Sequence, residues 1–190
     1  MIRLTGIVAI IVLAMTQAGF AGEGGTVFKE DFSQYDIGDP ISDWGTTDII
    51  VLKGSSDKIW IECQTPGLHK AEKRLILPEN YVFTFQFIHD GENFDVIFID
   101  NNESTHILSF YDYNRHVKFQ DTVAYKTDLK WRVVHSIKIV HKNKTFRLFI
   151  NDEFFLSSTP GGFGLTRGIA FKIQPSTRIG NIEIRELMTD

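Results

Sequence analysis

Short runs of alternating apolar and polar residues recur along almost the whole chain after residue 25. One run places Phe83, Phe85 and Phe87 on one side, with Thr84 and Gln86 on the other. A two-residue period is typical of a half-buried β-strand, and no segment after the N-terminal stretch keeps the 3.6-residue period of a helix. The pattern therefore predicts an all-β fold in which each strand buries one face.

Runs of this kind, rich in β-branched and aromatic residues, predict strands. They lie near Val27–Phe32, Asp48–Leu52, Lys58–Gln64, Arg74–Leu77, Tyr81–His89, Phe94–Asp100, Thr105–Tyr113, Val117–Phe119, Arg132–Lys142, Thr145–Asn151, Glu153–Ser157, Ile169–Gln174 and Ile179–Glu186. Between them, Pro66–Lys73 is interpreted as a loop or a single helical turn. The 16 phenylalanines fit a thick aromatic core between two sheets. We therefore expect an antiparallel two-sheet jelly-roll β-sandwich.

The N-terminus has the composition of an export signal. Arg3 supplies a positive charge, Ile7–Met15 is a short apolar stretch, and small residues precede a cleavage point after Ala21. The apolar stretch is shorter than the roughly 20 residues that a membrane-spanning helix needs. We therefore expect residues 1–21 to be a cleaved signal peptide, with a retained signal anchor as the alternative.

Residues 22–190 are then expected to form one β-sandwich domain that is secreted or periplasmic. The formal net charge of −4 favours neither nucleic acid nor an anionic membrane as a partner. We expect no membrane insertion after signal cleavage. Cys63 is the only cysteine, so an internal disulfide is excluded and stability must come from packing. Its place on the face of Ile59 and Ile61 predicts a buried, inert thiol.

Segments at both ends and in the middle of the domain resemble a known family of β-sandwiches. Residues 30–44 (EDFSQYDIGDPISDW) resemble the acidic-Phe strand and Gly-Pro-Trp loop that open concanavalin-A-like, laminin-G-like jelly rolls. Residues 131–153 (WRVVHSIKIVHKNKTFRLFINDE) resemble the family's central hairpin. Gly162–Gly164 and residues 181–187 (NIEIREL) look most like the branch that contains the 3-keto-disaccharide hydrolases. The resemblance implies a sugar-handling jelly roll.

The chain lacks the acidic motif of the enzymes that it resembles. Family-16-type glycoside hydrolases of this fold carry Glu-x-Asp-x-x-Glu on one strand, where acid and nucleophile flank a glycosidic bond about 5 Å apart. The nearest candidate pair here is Asp95 and Asp100, whose odd spacing places them on opposite faces of a strand. The Asn-Ser-Gly segment usual in the keto-disaccharide branch is also absent. The sequence therefore favours binding over hydrolysis.

A sugar site combines an aromatic ring, which packs on the C–H face of the sugar, with polar side chains that bind its hydroxyls. Trp60 alternates away from its apolar neighbours and lies beside Glu62, which predicts an exposed stacking platform. Tyr111 and Tyr113 share another strand face, with Arg115 nearby. Ordinary sheet packing is the alternative for each aromatic ring. The predicted ligand-binding residues are Trp60, Glu62, Gln86, Asp95, Tyr111, Tyr113 and Arg115.

The sequence gives little support for a cofactor. The histidines lack the spacing of zinc ligands. Calcium is kept open because Glu30 and Asp31 begin the fold, where the last strand is expected to lie beside them. The resemblance implies an acidic calcium-binding residue at position 181, but Asn181 is an amide, which weakens the case.

Three functions stay open on the sequence alone. The first is an exported, non-catalytic, lectin-like module that binds a carbohydrate or glycan. The second is a glycoside-processing enzyme similar to the 3-keto-disaccharide hydrolases, with an unrecognised acid/base pair among Asp95, Asp112 and His106. The third is a protein-interaction or envelope-structural sandwich with a protein partner.

Overall fold

The computed structural model describes residues 23–54, 57–111, 116–125 and 129–188, apart from the side chains of Glu23 and Tyr125. The described chain is an antiparallel β-sandwich with one 3₁₀ turn at Ser42–Trp44. No helix among the described residues is long and apolar enough to cross a membrane. The strands are β1 (Glu23–Glu30), β2 (Ile49–Lys53), β3 (Ile59–Cys63), β4 (His69–Arg74), β5 (Tyr81–Ile88), β6 (Phe94–Asp100), β7 (Thr105–Tyr111), β8 (His116–Phe119), β9 (Thr122–Tyr125), β10 (His135–Lys142), β11 (Thr145–Ile150), β12 (Glu153–Ser158), β13 (Thr166–Ile173) and β14 (Arg178–Leu187).

The strands form two sheets, which we call sheet A and sheet B. Sheet A has the order β12-β11-β10-β5-β14-β3-β2, with β1 also paired to β14. Sheet B has the order β4-β13-β6-β7-β8-β9. All named strand pairs are antiparallel, so each strand alternates between a face toward the other sheet and a face toward solvent, as the sequence predicted.

Strand β14 is central to sheet A because it has three partners. One edge pairs with β5, while the other edge pairs first with β3 and then with β1. The change occurs at a bulge between Gly180 and Glu183, where Asn181 has a φ of 49°. A Cβ on Gly180 would lie 2.9 Å from the Ile59 carbonyl oxygen. Only glycine therefore fits where β14 passes from one partner to the other.

The core lies between the inward faces of the two sheets. Phe83 is fully buried and contacts Phe98 edge-on, with ring centroids 6.0 Å apart. Phe171 from sheet B packs against Phe85 with centroids 5.2 Å apart. Trp44, from the 3₁₀ turn, also packs on Phe171 at 6.2 Å. The high phenylalanine content is thus explained by ring contacts that span the two sheets.

Two edge strands of sheet B differ from the sequence prediction. Residues 69–74 form β4, although Pro66–Lys73 was expected to be a loop or helical turn and Arg74–Leu77 a strand. This strand is highly charged, as edge strands often are, and only Ala71 packs into the core. Strand β9 was not predicted at all, because Thr122–Tyr125 is short and pairs only with β8.

Truncating a ring that joins the two sheets should destabilise the protein strongly. We expect Phe83→Ala to lower the free energy of unfolding by about 3–5 kcal/mol, because it leaves a cavity among packed rings. The matched control is Phe154→Ala, since Phe154 is 60% exposed; it should cost about 1 kcal/mol or less. Urea unfolding of the purified proteins measures both. Equal losses in the two variants would contradict this description of the core.

Candidate functional site

The predicted ligand-binding residues divide between the two outer faces of the sandwich. Trp60, Glu62 and Gln86 lie on the outer face of sheet A, since the residues that alternate with them belong to the core. Asp95 and Tyr111 lie on the outer face of sheet B for the same reason. These faces point in opposite directions, so the five residues do not form one site.

Two of the predicted residues, Tyr113 and Arg115, lie outside the described residues. Tyr111 is the last residue of β7 and directly precedes residues 112–115, which include them. Their assignment as ligand-binding residues stays a prediction.

Trp60 is not the exposed platform that the sequence predicted, because its side chain is only 3% exposed. The ring packs against two glycines of neighbouring segments. A Cβ on Gly54 would lie 2.6 Å from the indole Nε1, and one on Gly180 would lie 3.0 Å from the ring. Because neither position carries a side chain, the indole can pack against the backbone there instead of projecting into solvent.

The two polar residues predicted on sheet A are held by protein partners. The Arg178 Nε donates to a Glu62 carboxylate oxygen at 2.5 Å. The Gln86 Oε1 accepts hydrogen bonds from Lys58 Nζ at 3.3 Å and from Asn181 Nδ2 at 2.7 Å. A ligand on this face would have to replace existing hydrogen bonds, which reduces the net gain from binding.

The outer face of sheet B combines an aromatic pair with a row of polar side chains. The Tyr111 ring stacks on His116 of the neighbouring strand, with centroids 4.6 Å apart and an angle of 23° between the planes. One step along the strands, Ser109 lies directly between Asp95 on β6 and Lys118 on β8. Side chains opposite each other on one sheet face are about 5 Å apart. We call these five residues the Tyr111 surface.

The Tyr111 surface is shaped by the small size of its central residue. Ser109 is 7% exposed, so the longer side chains of Asp95 and Lys118 stand above it on either side. Asp95 also lies opposite Lys172 on β13, so positive and negative charges alternate across the row. The next row is apolar: Ile97 packs in a small outer cluster, and its cross-strand neighbour Ile107 is 39% exposed. A ring, a polar row and an apolar stripe thus share one surface.

His106, a candidate for acid/base chemistry, lies in a buried structural cluster. It is 6% exposed, and its Nε2 is 3.4 Å from the Asp100 Oδ2. Its Nδ1 is 3.0 Å from the Gln120 side-chain amide nitrogen. Asp95 points outward from the other face of β6, and Asp112 lies outside the described residues. His106 and Asp95 therefore do not converge on a common substrate position.

Asp100 joins two loops through its fully buried carboxylate. Its Oδ1 accepts hydrogen bonds from the backbone N–H groups of Asn102 at 2.8 Å and Ser104 at 3.0 Å. Its Oδ2 accepts a hydrogen bond from the backbone N–H of Gly164 at 3.3 Å. Burial acts to raise the pKa of Asp100, but these N–H groups and His106 outweigh it and lower the pKa below its usual value. The sequence pattern identified Asp100 only as an unsuitable catalytic partner, since strand alternation does not reveal a tight turn over Asn102 and Ser104 or a contact with the distant Gly164.

The sequence kept a calcium site open at Glu30 and Asp31, where the fold begins. Glu30 lies opposite Ile182, so β1 is beside the last strand as expected. Its Oε1 accepts hydrogen bonds from the Phe32 backbone and the Gln34 amide, each at 2.8 Å. In the described part of the chain, no group of three or more His, Cys, Asp or Glu residues is arranged to hold a metal ion.

Cys63 is buried and free, and its thiol lies 3.1 Å from the Thr65 carbonyl oxygen.

Comparison with known proteins finds similar folds among solved β-sandwich structures. No family model and no curated protein matches the sequence. A Bacillus subtilis protein of unknown function with a galectin-like fold is similar in structure, with a TM-score of 0.63 and 9% identity over 87% of this chain and 98% of that chain. The carbohydrate-binding module CBM66 from Bacillus subtilis has a TM-score of 0.52 and 11% identity, over 73% of this chain and 96% of its own. The Emp47p carbohydrate recognition domain has a TM-score of 0.52 and 8% identity, over 75% and 90%.

These similarities show the fold and nothing finer. The chain is an antiparallel two-sheet jelly-roll sandwich with a galectin-like neighbour, which confirms the fold class that the sequence predicted. At identities near 10%, binding residues do not carry over from one protein to another.

Replacing Asp100 should weaken the protein in a pH-dependent way. Asp100→Asn keeps the shape of the side chain but removes its charge, so we expect a loss of about 1.5–3 kcal/mol at neutral pH. Because the folded-state pKa lies below the usual 3.8, this stabilisation is complete above that value and is lost as the pH falls through the folded-state pKa. The difference between wild type and variant should therefore shrink in acid.

Urea unfolding at neutral and acidic pH measures this difference. Asp152→Asn is the control, because Asp152 is exposed in the turn between β11 and β12. It should be neutral under both conditions. A loss in Asp100→Asn that stayed constant from neutral pH to below pH 3 would contradict the role assigned to the carboxylate.

Proposed function

We propose that this protein is an exported, non-catalytic, lectin-like module that binds a carbohydrate or glycan on the Tyr111 surface. The observation that carries the proposal is the stacked Tyr111–His116 pair beside the row of Asp95, Ser109 and Lys118. An aromatic ring next to donors and acceptors is the combination that a sugar ring needs, since sugars have both apolar C–H faces and hydroxyl edges.

Each residue of the Tyr111 surface has a distinct role in this proposal. Tyr111 packs against the C–H face of the sugar, and His116 keeps the tyrosine ring in place by stacking on its other side. Asp95 accepts hydrogen bonds from sugar hydroxyls, while Lys118 donates to them. Ser109 leaves room between them for the edge of the sugar. Tyr113 and Arg115, two and four residues after Tyr111 in the sequence, stay predicted ligand-binding residues in this proposal.

The location and the partner class have separate support. Residues 1–21 have the composition of a cleaved signal peptide, which supports a secreted or periplasmic protein without membrane insertion. Two structural neighbours are described as a carbohydrate-binding module and a carbohydrate recognition domain, which supports a glycan as the partner of this fold. A nucleic-acid partner is disfavoured by the negative net charge of the chain.

A glycoside-processing enzyme similar to the 3-keto-disaccharide hydrolases is the second candidate. The sequence likeness of Gly162–Gly164 and residues 181–187 to that branch favours it. Against it, His106 is buried on Asp100 while Asp95 faces outward, so these candidates for an acid/base pair are separated by the sheet. A protein-interaction module is the third candidate, and it requires that the Tyr111 surface bind no sugar.

A glycan array of the purified protein, followed by titration of the glycans that bind, tests the proposal. We expect Tyr111→Ala to weaken binding at least tenfold, which corresponds to about 1.4 kcal/mol. The control is Phe154→Ala, which removes an exposed ring from the edge of sheet A. It should bind as the wild type does.

Two results would count against this function. If the folded protein binds no glycan on the array, the proposal of a carbohydrate partner is wrong and the protein-interaction candidate is favoured. If Tyr111→Ala binds as the wild type does while variants of the outer face of sheet A lose binding, the site lies on sheet A and our assignment to the Tyr111 surface is wrong. Release of a reducing sugar from a bound glycan would identify an enzyme instead.

A further inference from the structure

Strand β4 forms an open edge of sheet B. Other sheet edges are covered by neighbouring segments. Residues 38–41 run along β2, where the Gly38 N–H donates to the Val51 carbonyl oxygen at 2.9 Å. The edge strands β9 and β12 lie against each other, and the Thr122 hydroxyl donates to the Ser158 hydroxyl at 3.0 Å. Among the described residues, none pairs with the outer edge of β4.

The register of β4 against β13 decides which of its backbone groups are free. The Leu75 N–H donates to the Arg167 carbonyl oxygen at 3.1 Å, and the two strands keep that antiparallel register. Odd-numbered residues of β4 therefore bond to β13. The backbone N–H and C=O groups of Lys70, Glu72 and Arg74 point away from β13, and no described residue bonds to them. Such a row of free groups is a template for another strand.

The surroundings of β4 leave room for another strand. A depression of about 760 Å³ borders β4 and is lined on its other side by Ser42, Asp43 and Gly45. Exposed apolar side chains flank the strand, with Leu68 before it and Ile76 after it. A strand added at this edge would therefore cover apolar surface at both ends.

The side chains along this edge alternate in charge. Lys70 and Arg74 both form ion pairs with Glu72, which lies between them. Burial acts to raise the pKa of Glu72, but the hydrogen bonds from Lys70 and Arg74 outweigh it and lower the pKa below its usual value. The edge thus carries a positive, a negative and a positive charge at neutral pH.

Two copies of this edge match in a single antiparallel register. When Ala71 lies opposite Ala71 of the second copy, Lys70 lies opposite Glu72 in both halves of the pair, which is favourable. A shift by two residues places Glu72 opposite Glu72, and the reverse shift places Lys70 opposite Lys70. Like charges directly opposite each other are destabilising. The charges therefore favour one register over its neighbours.

We infer that this protein forms a two-fold dimer in which β4 of one copy pairs with β4 of a second copy. Ala71 lies at the centre, and two Lys70–Glu72 pairs join the copies on the outer face of a continuous sheet. The edge has six residues per copy, which is small beside the roughly 800 Å² per partner of a standard interface. The dimer is therefore concentration-dependent, with a Kd in the micromolar range.

The dimer has a consequence for binding. The two-fold axis of an antiparallel strand pair is perpendicular to the sheet, so the outer faces of both copies of sheet B point the same way. The dimer thus carries two Tyr111 surfaces on one side, which favours binding to a surface that displays many copies of a glycan. Only this consequence rests on the proposed function, and the dimer itself does not.

The experiment is analytical ultracentrifugation of the purified protein at concentrations up to about 1 mM, where a dimer with a micromolar Kd is nearly complete. We expect the mass to rise from that of one copy to that of two. Hydrogen exchange adds a residue-level measurement. The backbone amides of Lys70 and Glu72 should exchange at least tenfold more slowly in concentrated than in dilute protein, because they are hydrogen-bonded only in the dimer.

Charge-reversal variants assign the dimer to this edge and register. Lys70→Glu and Glu72→Lys each place like charges opposite each other, so each should raise the dimer Kd at least tenfold. An equimolar mixture of the two variants should dimerise as the wild type does, since each copy supplies the charge that the other needs. Lys144→Glu is the matched control, because Lys144 is exposed in the turn between β10 and β11. It should dimerise as the wild type does.

The possible outcomes separate this inference from the proposed function. If the protein stays monomeric up to the highest concentration, the inference is wrong, whatever the glycan array shows for Tyr111→Ala. If the single variants dimerise as the wild type does, the copies meet at another surface. If the mixture of variants stays monomeric, the register with Ala71 at its centre is wrong.

Discussion

The packing of phenylalanine rings between the two sheets is the interaction on which the rest of the structure depends. Phe83 and Phe85 of sheet A meet Phe98 and Phe171 of sheet B, with centroid distances between 5.2 and 6.2 Å. The chain contains a single cysteine, so no disulfide within the chain adds to the stability that this packing provides. It also decides which side of every strand faces solvent, because the period along a strand is two residues.

The exposed parts of the sandwich differ in what they offer a ligand. On sheet A, the indole of Trp60 is buried, Glu62 is hydrogen-bonded to Arg178, and Gln86 is hydrogen-bonded to Asn181. On sheet B, the stacked ring of Tyr111 lies beside a polar row and an apolar stripe. The outer face of sheet B thus offers a ligand more free polar and aromatic surface than that of sheet A.

Local alternation was enough to predict most strands, and the bounds of Phe94–Asp100 match those of β6. It failed for β4, because that charged edge strand is held by pairing with β13 and not by its own pattern. It also failed for the exposure of Trp60, which depends on a glycine in β14 that is far away in sequence.

The most direct test of this account is a crystal structure of the protein bound to a glycan selected on the array. We expect a sugar ring packed on Tyr111, with hydroxyls within hydrogen-bonding distance of Asp95 or Lys118. A sugar ring bound instead on the outer face of sheet A, with the Gln86 hydrogen bonds rearranged around it, would contradict the assignment of the Tyr111 surface as the binding site.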